Sequence, residues 1–132
     1  MILEPQVSVV LPVRNGMPFL PAALSCLSRQ TMSRFEVVAV NDGSGDSSGE
    51  ILDRCAAEDP RFRVVHLPAS GLVAALNAGI TCCRAPVIAR MDADDVCHPG
   101  RLELQLERLH REPAAGVVSC DVRFFPRARL GL

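Results

Sequence analysis

The sequence predicts an α/β domain built on a doubly wound, mainly parallel sheet. Short β-branched runs alternate with amphipathic segments from one end of the chain to the other, which is the pattern of strands joined by crossover helices. Polar residues follow several of these runs, where parallel sheets place their ligand sites. The 132 residues suffice for one domain and are too few for two. We therefore expect a single ligand-binding domain over residues 1–132.

Five strands and four helices are expected in alternation. The strands are predicted at 7–12, 35–40, 62–67, 86–91 and 117–125, and helices at 18–30, 70–83 and 99–110. The remaining helix is expected to be capped by Asp46 or Ser47 and ended by Asp59-Pro60. Helix 70–83 is apolar nearly all round, so we expect it to be buried. The chain stops directly after the fifth strand, which predicts a truncated domain with an exposed sheet edge that favours self-association.

The amino-acid composition argues against nucleic-acid binding and against a disordered chain. Fourteen basic and fifteen acidic residues give a net charge of −1, so the overall field does not attract nucleic acid. The basic residues are all arginine, and Trp and Tyr are absent, so aromatic stacking platforms for single strands are not expected. With 48% hydrophobic and 22% charged residues, the chain is not predicted to be disordered.

Cysteine usage and the ends of the chain indicate a reducing compartment. The six cysteines have no C-x-x-C spacing and no histidine placed for zinc, so we interpret them as structural thiols. The first residues lack the pattern of a secretory signal, and no apolar run reaches the length of a membrane span. A cytoplasmic protein is expected.

Three carboxylates follow the fourth predicted strand, at Asp92, Asp94 and Asp95. At about 4 Å and an effective dielectric constant near 20, each close pair costs roughly 4 kcal/mol. A hard divalent cation removes this repulsion, and an all-oxygen site favours Mg²⁺ or Mn²⁺ over zinc. The alternative is a solvated acidic turn in which Asp95 caps the next helix.

A further carboxylate, Asp42, follows the second predicted strand within the sequence Asn41-Asp42-Gly43. This sequence is typical of a tight turn whose polar side chains satisfy local backbone groups. Alternatively, a carboxylate at the edge of a sheet accepts the N–H of a nucleobase. Because parallel strands end at one edge, Asp42 and the acidic turn are expected on the same rim.

Four motifs occur in order along the chain: VSVVLPVRN at 7–15, VNDGS at 40–44, IARMDADD at 88–95, and P-x-RL-x-x-Q at 99–105. Together they resemble the N-terminal half of a family 2 glycosyltransferase with the GT-A fold, a Rossmann-like architecture. The resemblance implies transfer of a sugar from a nucleotide diphosphate sugar, often a UDP-sugar, to an acceptor hydroxyl, mostly with inversion. The acceptor would be a saccharide or lipid-linked molecule, and cell-surface polysaccharide synthesis would be the setting.

The resemblance also implies roles for individual residues. Pro12 and Asn15 belong to the loop along the nucleotide, and Asp42 contacts the base. Asp92 and Asp94 form a D-x-D pair near the ribose and on a Mn²⁺ or Mg²⁺ ion that bridges the phosphates. Arg90 is interpreted as the partner of a structural salt bridge.

Two departures from the family pattern bear on activity. Many relatives carry an aromatic residue where Arg14 stands and an acid where Asn41 stands, which leaves base stacking open. The general base comes from the C-terminal, acceptor-binding half in this family, and we assign no base within this sequence. The alternative function is therefore a fragment that binds nucleotide and metal without transferring sugar.

A more distant alternative is a haloacid dehalogenase-type phosphatase, whose nucleophile motif resembles Asp92-x-Asp94. That family places the motif strand first and uses a downstream lysine, whereas here the strand is fourth and lysine is absent. Arg123, Arg127 and Arg129 form a small basic tail, compatible with peripheral contact with anionic lipid at the inner face of a membrane.

Overall fold

The computed structural model describes residues 3–124. Within this range four strands and four helices alternate along the chain. They are β1 (Val7–Val13), α1 (Leu20–Ser28), β2 (Phe35–Asp42), α2 (Ser48–Glu58), β3 (Phe62–Leu67), α3 (Leu72–Cys82), β4 (Val87–Arg90) and α4 (Arg101–Arg111). The strands form one parallel sheet in the order β3-β2-β1-β4. This arrangement confirms the predicted α/β class.

The sheet separates two hydrophobic clusters. β1 and β2 lie in the middle of the sheet and are buried along their whole length. Alternate side chains of both strands join α1, α2 and α4 in the main core, which includes Leu11, Leu27, Val37, Leu52 and Leu102. The smaller cluster, on the other face, contains Val38, Val40 and Ala75 of α3. The continuous apolar runs of β1 and β2 thus reflect burial on both faces.

α3 is exposed along much of its length, so the expectation of a buried helix was wrong. Its buried residues are Ala75 and Gly79, whereas Leu72, Val73 and Ile80 are 53%, 71% and 46% exposed. The helix contacts the sheet through its small residues and turns its larger side chains outward. Uniform hydrophobicity indicated burial but could not indicate which side of the helix meets the sheet.

The predicted fifth strand is also corrected. Residues 117–124 form no strand, and Val117 and Phe124 are 85% and 94% exposed; residue 125 lies outside the described range. Residues 115–120 and 122 line one side of a cavity of about 820 Å³, and β4 and α4 line the other. The segment is therefore held away from the edge of β4, where it would have to hydrogen bond. Cys120, which was interpreted with the other cysteines as a structural thiol, is exposed.

The capping predictions are borne out only in part. Asp46 Oδ1 accepts a hydrogen bond from the N–H of Ser48, the first residue of α2, whereas Ser47 at the N-cap position makes no side-chain cap bond. Asp95 does not cap α4, whose N-cap is Gly100. His98 Nδ1 instead accepts the N–H of Gly100 at 3.0 Å.

A buried carboxylate fastens the amino-terminal side of the sheet. Glu36 of β2 is 1% exposed and accepts hydrogen bonds from Ser8 Oγ at 2.7 Å, from Arg63 Nη2 at 3.0 Å and from the backbone and side chain of Arg84 at 2.8 Å. Burial opposes ionisation, but the hydrogen bonds from Ser8 and Arg84 and the charge of Arg63 hold the pKa of Glu36 below its ordinary value.

Among residues 3–124, the longest apolar helices fall short of what a bilayer crossing requires.

Candidate functional site

The predicted polar residues lie along one edge of the sheet. Asp42 is the last residue of β2, and Asp92 follows β4 by two positions. All four strands are parallel, and β1 lies between β2 and β4. Two interstrand spacings therefore separate Asp42 from Asp92 across the sheet, a distance of about 10 Å. We call this edge, with its loops 14–17, 42–48 and 91–95, the carboxyl rim.

Asp42 is held in one orientation by the start of α3. The residue is 3% exposed, and its Oδ1 and Oδ2 accept the backbone N–H groups of Ser70 at 2.7 Å and Gly71 at 3.0 Å. Arg14 Nη1 lies 3.8 Å from Oδ2, with half of its own side chain exposed. Each carboxylate oxygen has two lone pairs, so Asp42 retains capacity for another donor beside Arg14.

Asn41, interpreted above as a turn former, is the buried end of a polar chain that crosses three elements and reaches the surface at His66 and Asp53. Its Nδ2 lies 3.0 Å from Nδ1 of His66, and Nε2 of His66 lies 2.8 Å from Oδ1 of Asp53 on α2. Because Asn41 Nδ2 can only donate, His66 Nδ1 accepts and the ring proton is placed on Nε2, facing Asp53. Asn41 Oδ1 accepts the N–H of Ser44 at 3.2 Å. The chain thus runs from α2 to the turn after β2.

The turn after β2 is hydrogen bonded to the loop after β1. Asn15 Oδ1 accepts the N–H of Gly45 at 2.8 Å, and the N–H of Asn15 donates to Ser44 Oγ at 3.0 Å. The next two N–H groups, of Gly16 and Met17, donate to Ser48 Oγ and Asp46 Oδ2. Asn15 is exposed and adopts a φ of +50°, a conformation that asparagine tolerates better than most residues. The two loops therefore form one rigid part of the rim.

Pro12 lies inside β1, beside Val40 in the register of β1 and β2, and is buried. Its predicted role along the nucleotide stays a prediction, as do the predicted roles of Asn15, Asp42, Asp92 and Asp94.

The acidic turn brings three carboxylates together. Asp92, Asp94 and Asp95 each offer an oxygen within 4.8 Å of the others, and Asp94 and Asp95 are exposed. Burial, together with the charges of Asp94 and Asp92, raises the pKa of Asp95. Exposed hard oxygen donors at this separation suit a small divalent cation that keeps several waters or phosphate oxygens in its shell. The residues therefore fit the predicted ion.

Arg90 supplies the salt bridge that we interpreted from the sequence. Its Nη2 donates to Asp92 Oδ1 at 3.2 Å, and both side chains are about half exposed. Arg101 Nη2 donates to the backbone oxygen of Arg90 at 2.9 Å, so the first turn of α4 supports the end of β4. Asp92 is oriented while Asp94 remains free to reach outward.

Two features of the rim were not predicted from the sequence: the chain Asp53–His66–Asn41, and the serines Ser44 and Ser48 that join the rim loops. Asn41 and His66 are directly paired residues of β2 and β3, so a known strand register would have predicted their contact. Hydrophobic patterns do not give the order or the alignment of the strands. Ser44 and Ser48 follow β2 in a run of turn-forming residues, so nothing marked them beyond their turn propensity.

Acidic residues thus lie at the carboxyl ends of the second and fourth strands of an open parallel sheet, and the comparisons with known proteins identify the family. The chain belongs to glycosyl transferase family 2, whose model matches residues 8–129. Its structural neighbours are GT-A glycosyltransferases. Membership of this family rules out the phosphatase alternative.

Particular relatives come from several bacteria and an archaeon. The chain is 43% identical over 91 residues to the uncharacterized glycosyltransferase EpsJ of Bacillus subtilis, which covers 69% of this chain and 26% of EpsJ. It is 28% identical over 114 residues to chondroitin synthase of Pasteurella multocida, covering 86% of this chain and 12% of the synthase.

Two solved structures show the same fold. The mannosyltransferase PcManGT of Pyrobaculum calidifontis, in complex with GDP-Man and Mn²⁺, aligns with a TM-score of 0.82 at 26% identity over 92% of this chain and 36% of that one. S. aureus TarS 1-349 in complex with UDP aligns with a TM-score of 0.75 at 21% identity, over 82% and 33% of the two chains. The chain spans 26% to 38% of the first three curated relatives.

Proposed function

We propose that this chain is the donor-binding part of a glycosyltransferase and that its carboxyl rim holds a nucleoside diphosphate sugar with a divalent cation. The observation that carries the proposal is the placement of Asp42 and the acidic turn on one rim, about two strands apart. The base would lie at one end of this span and the diphosphate at the other.

Asp42 is suited to the base because its carboxylate is already oriented. The N–H groups of Ser70 and Gly71 fix both oxygens, so little conformational freedom is lost when a ring N–H of the base donates to it. Arg14, 3.8 Å away, can donate to a carbonyl beside that N–H. Uracil and guanine present this pair of groups. Pro12 and Asn15 would place the loop after β1 along the nucleotide.

Asp92 and Asp94 are the residues that would hold Mn²⁺ or Mg²⁺. When bound, the cation offsets negative charge on the diphosphate leaving group. The salt bridge from Arg90 orients Asp92 toward the rim, and the exposed side chain of Asp94 can reach the ion without disturbing the core. GDP-Man and Mn²⁺ in the PcManGT structure, and UDP in the TarS structure, support this use of the fold.

The complete reaction is proposed as transfer of the sugar to the hydroxyl of a saccharide or lipid-linked acceptor, with inversion, in the synthesis of cell-surface polysaccharide. The relation to chondroitin synthase supports a saccharide acceptor. No general base is assigned within this sequence. The second candidate is accordingly a unit that binds nucleotide and metal but transfers no sugar. A cytoplasmic location, contact with a membrane surface and self-association stay predictions.

Calorimetric titration with UDP and with GDP, each with and without Mn²⁺, tests the proposal. We expect one of the two nucleotides to bind only when Mn²⁺ is present, and Asp94→Ala to weaken that binding at least tenfold while the melting temperature stays unchanged. Glu58→Ala, an exposed acid at the far end of α2, is the matched control and should bind like the parent chain.

Two outcomes would contradict this assignment. Binding that is equally strong without metal would remove the acidic turn from the site, and unfolding of Asp94→Ala with unchanged affinity would make the turn a structural element. A sugar-transfer assay on the same protein separates the two candidate functions, since turnover would show that the chain contains all the groups the reaction needs.

A further inference from the structure

Two cysteines far apart in sequence meet directly behind the acidic turn. Cys26 lies on α1 and Cys97 follows Asp95 by two residues, and their sulfur atoms are 3.5 Å apart. This separation is close to van der Waals contact, so no other residue lies between the two sulfurs. A disulfide bond needs an approach of about 1.5 Å more.

The surroundings of the pair favour reaction over inert packing. The N–H of Cys97 donates to Cys26 Sγ at 3.2 Å, and Gln30 Nε2 donates to Cys97 Sγ at 3.3 Å. The hydrogen bond from the Cys97 thiol lowers the pKa of Cys26 to about 7, which favours the nucleophilic thiolate. By contrast, burial raises the pKa of Cys55 and of Cys83.

The pair is reachable and one of its members can move. Cys97 lines a cavity of about 380 Å³ together with Asp95, His98 and Cys120, which gives a small oxidant a route to the sulfur. Cys26 is fixed within a helix, whereas residues 91–99 contain neither helix nor strand. The approach needed for a bond would therefore be made mainly by Cys97.

We propose that Cys26 and Cys97 form a redox-sensitive thiol pair that controls the acidic turn. With a peroxide that enters beside Cys97 as oxidant, the thiolate of Cys26, 3.5 Å further in, attacks one peroxide oxygen; the O–O bond breaks, and a Cys26 sulfenic acid and hydroxide form. The second sulfur then attacks the sulfenic sulfur, the S–S bond forms and the S–O bond breaks. Two thiols lose two electrons and two protons, and hydrogen peroxide is reduced to two molecules of water.

The consequence for the rim follows from the short connection. Only Val96 lies between Asp95 and Cys97, so a displacement of Cys97 toward α1 is transmitted to the turn. Metal–ligand distances lie within about 0.2 Å of their usual values, and the approach of the two sulfurs is several times larger than that. Oxidation would thus weaken the cation site of Asp92 and Asp94, a consequence that rests on the proposed function.

Peptide mapping tests the pair without reference to function. The reduced chain is treated with hydrogen peroxide, its remaining thiols are alkylated, and the digest is analysed by mass spectrometry. We expect a bond between Cys26 and Cys97 that dithiothreitol reverses. Cys97→Ser, and Cys97→Ala as a second variant, should abolish it, while the control Cys55→Ser should retain it. No bond, or a bond between Cys97 and Cys120, would overturn the proposal.

A second measurement tests whether oxidation of Cys26 and Cys97 weakens cation binding at the acidic turn. Titration of the oxidised chain with Mn²⁺ and the nucleotide it binds should give at least a fivefold weaker affinity than the reduced chain, restored by dithiothreitol. If a sample with a complete Cys26–Cys97 disulfide binds the nucleotide and Mn²⁺ as tightly as the reduced chain, the proposed effect of the pair on the acidic turn is overturned. If the reduced chain binds no nucleotide with Mn²⁺, the proposed function fails, and peptide mapping alone decides whether the pair forms.

Discussion

Asp42 and Asn41 are adjacent residues that organise two different parts of the rim. Asp42 binds the N–H groups at the start of α3, and Asn41 binds the turn at 43–45 and, through His66, α2. Successive residues of a strand point to opposite faces, so the two side chains serve opposite sides of the sheet. The result is that loops 14–17 and 42–48 of the carboxyl rim are held in place before any ligand arrives.

The substitution His66→Ala tests whether Asn41 and His66 hold the turn at 43–45. Removal of the ring leaves Asn41 Nδ2 without its partner, which we expect to cost about 1 kcal/mol of unfolding free energy. Nucleotide affinity should fall several-fold because the turn at 43–45 is held less firmly. Denaturant unfolding and calorimetry measure the two effects. A matched change, His110→Ala in the last turn of α4, should leave nucleotide binding unchanged; equal losses for both variants would contradict a specific role for His66.

Glu36 predicts a dependence of stability on pH. Its pKa is lower in the folded chain than its ordinary value, so its contribution is complete above roughly pH 4.3 and is lost as the pH falls through the folded value. Glu36→Gln removes hydrogen bonds to charged partners, and we expect a loss of about 2 kcal/mol at neutral pH. Urea unfolding of both chains between pH 7 and about pH 3 should show the difference shrinking in acid. A difference in unfolding free energy that stays constant with pH would contradict the role of ionised Glu36 in stability.

At the level of elements, the contact of α3 with the sheet depends on one small residue. A Cβ atom added at Gly79 would lie 2.6 Å from Cγ1 of Val10 and 3.1 Å from Cγ2 of Val40. The helix therefore approaches β1 and β2 more closely than any larger residue allows. Since Ser70 and Gly71 precede this helix, its position also determines where Asp42 is held.

Gly79→Ala is expected to destabilise the chain by about 1 to 3 kcal/mol through overpacking, although alanine is the better helix former. The exposed Asn77→Ala on the same helix should change the unfolding free energy by less than about 0.5 kcal/mol. Thermal and urea unfolding of both variants provide the comparison. A stabilised Gly79→Ala would show that helix propensity outweighs the close contact.

At the scale of the whole molecule, the sequence predicted features that depend on neighbouring residues better than features that depend on contacts between distant residues. The bounds of β3 were predicted to the residue, and β1, β2 and β4 within two residues, because buried parallel strands read as short apolar runs. The rim could be predicted because the carboxyl ends of parallel strands meet at one edge of the sheet, which places Asp42 and Asp92 on the same side. The strand expected at 117–125 failed because its pattern contains no information about whether a partner edge lies within reach.

The same distinction applies to the site. Asp92, Asp94 and Asp95 are neighbours in sequence, so their cluster could be predicted. The contacts of Cys26 with Cys97 and of Asn41 with His66 span 71 and 25 residues, and only the folded chain brings them together. The membership of glycosyl transferase family 2 was accessible from the sequence because its motifs are short and ordered.

The central claim is that the two ends of the carboxyl rim bind one ligand. Nuclear magnetic resonance of the ¹⁵N-labelled chain, titrated with the nucleotide it binds in the presence of Mg²⁺, tests this most directly. We expect the backbone signals of residues 14–16, 42–45 and 92–95 to shift together along one binding curve. Shifts confined to 92–95, or separate curves for 42–45 and 92–95, would contradict a shared nucleotide-sugar site.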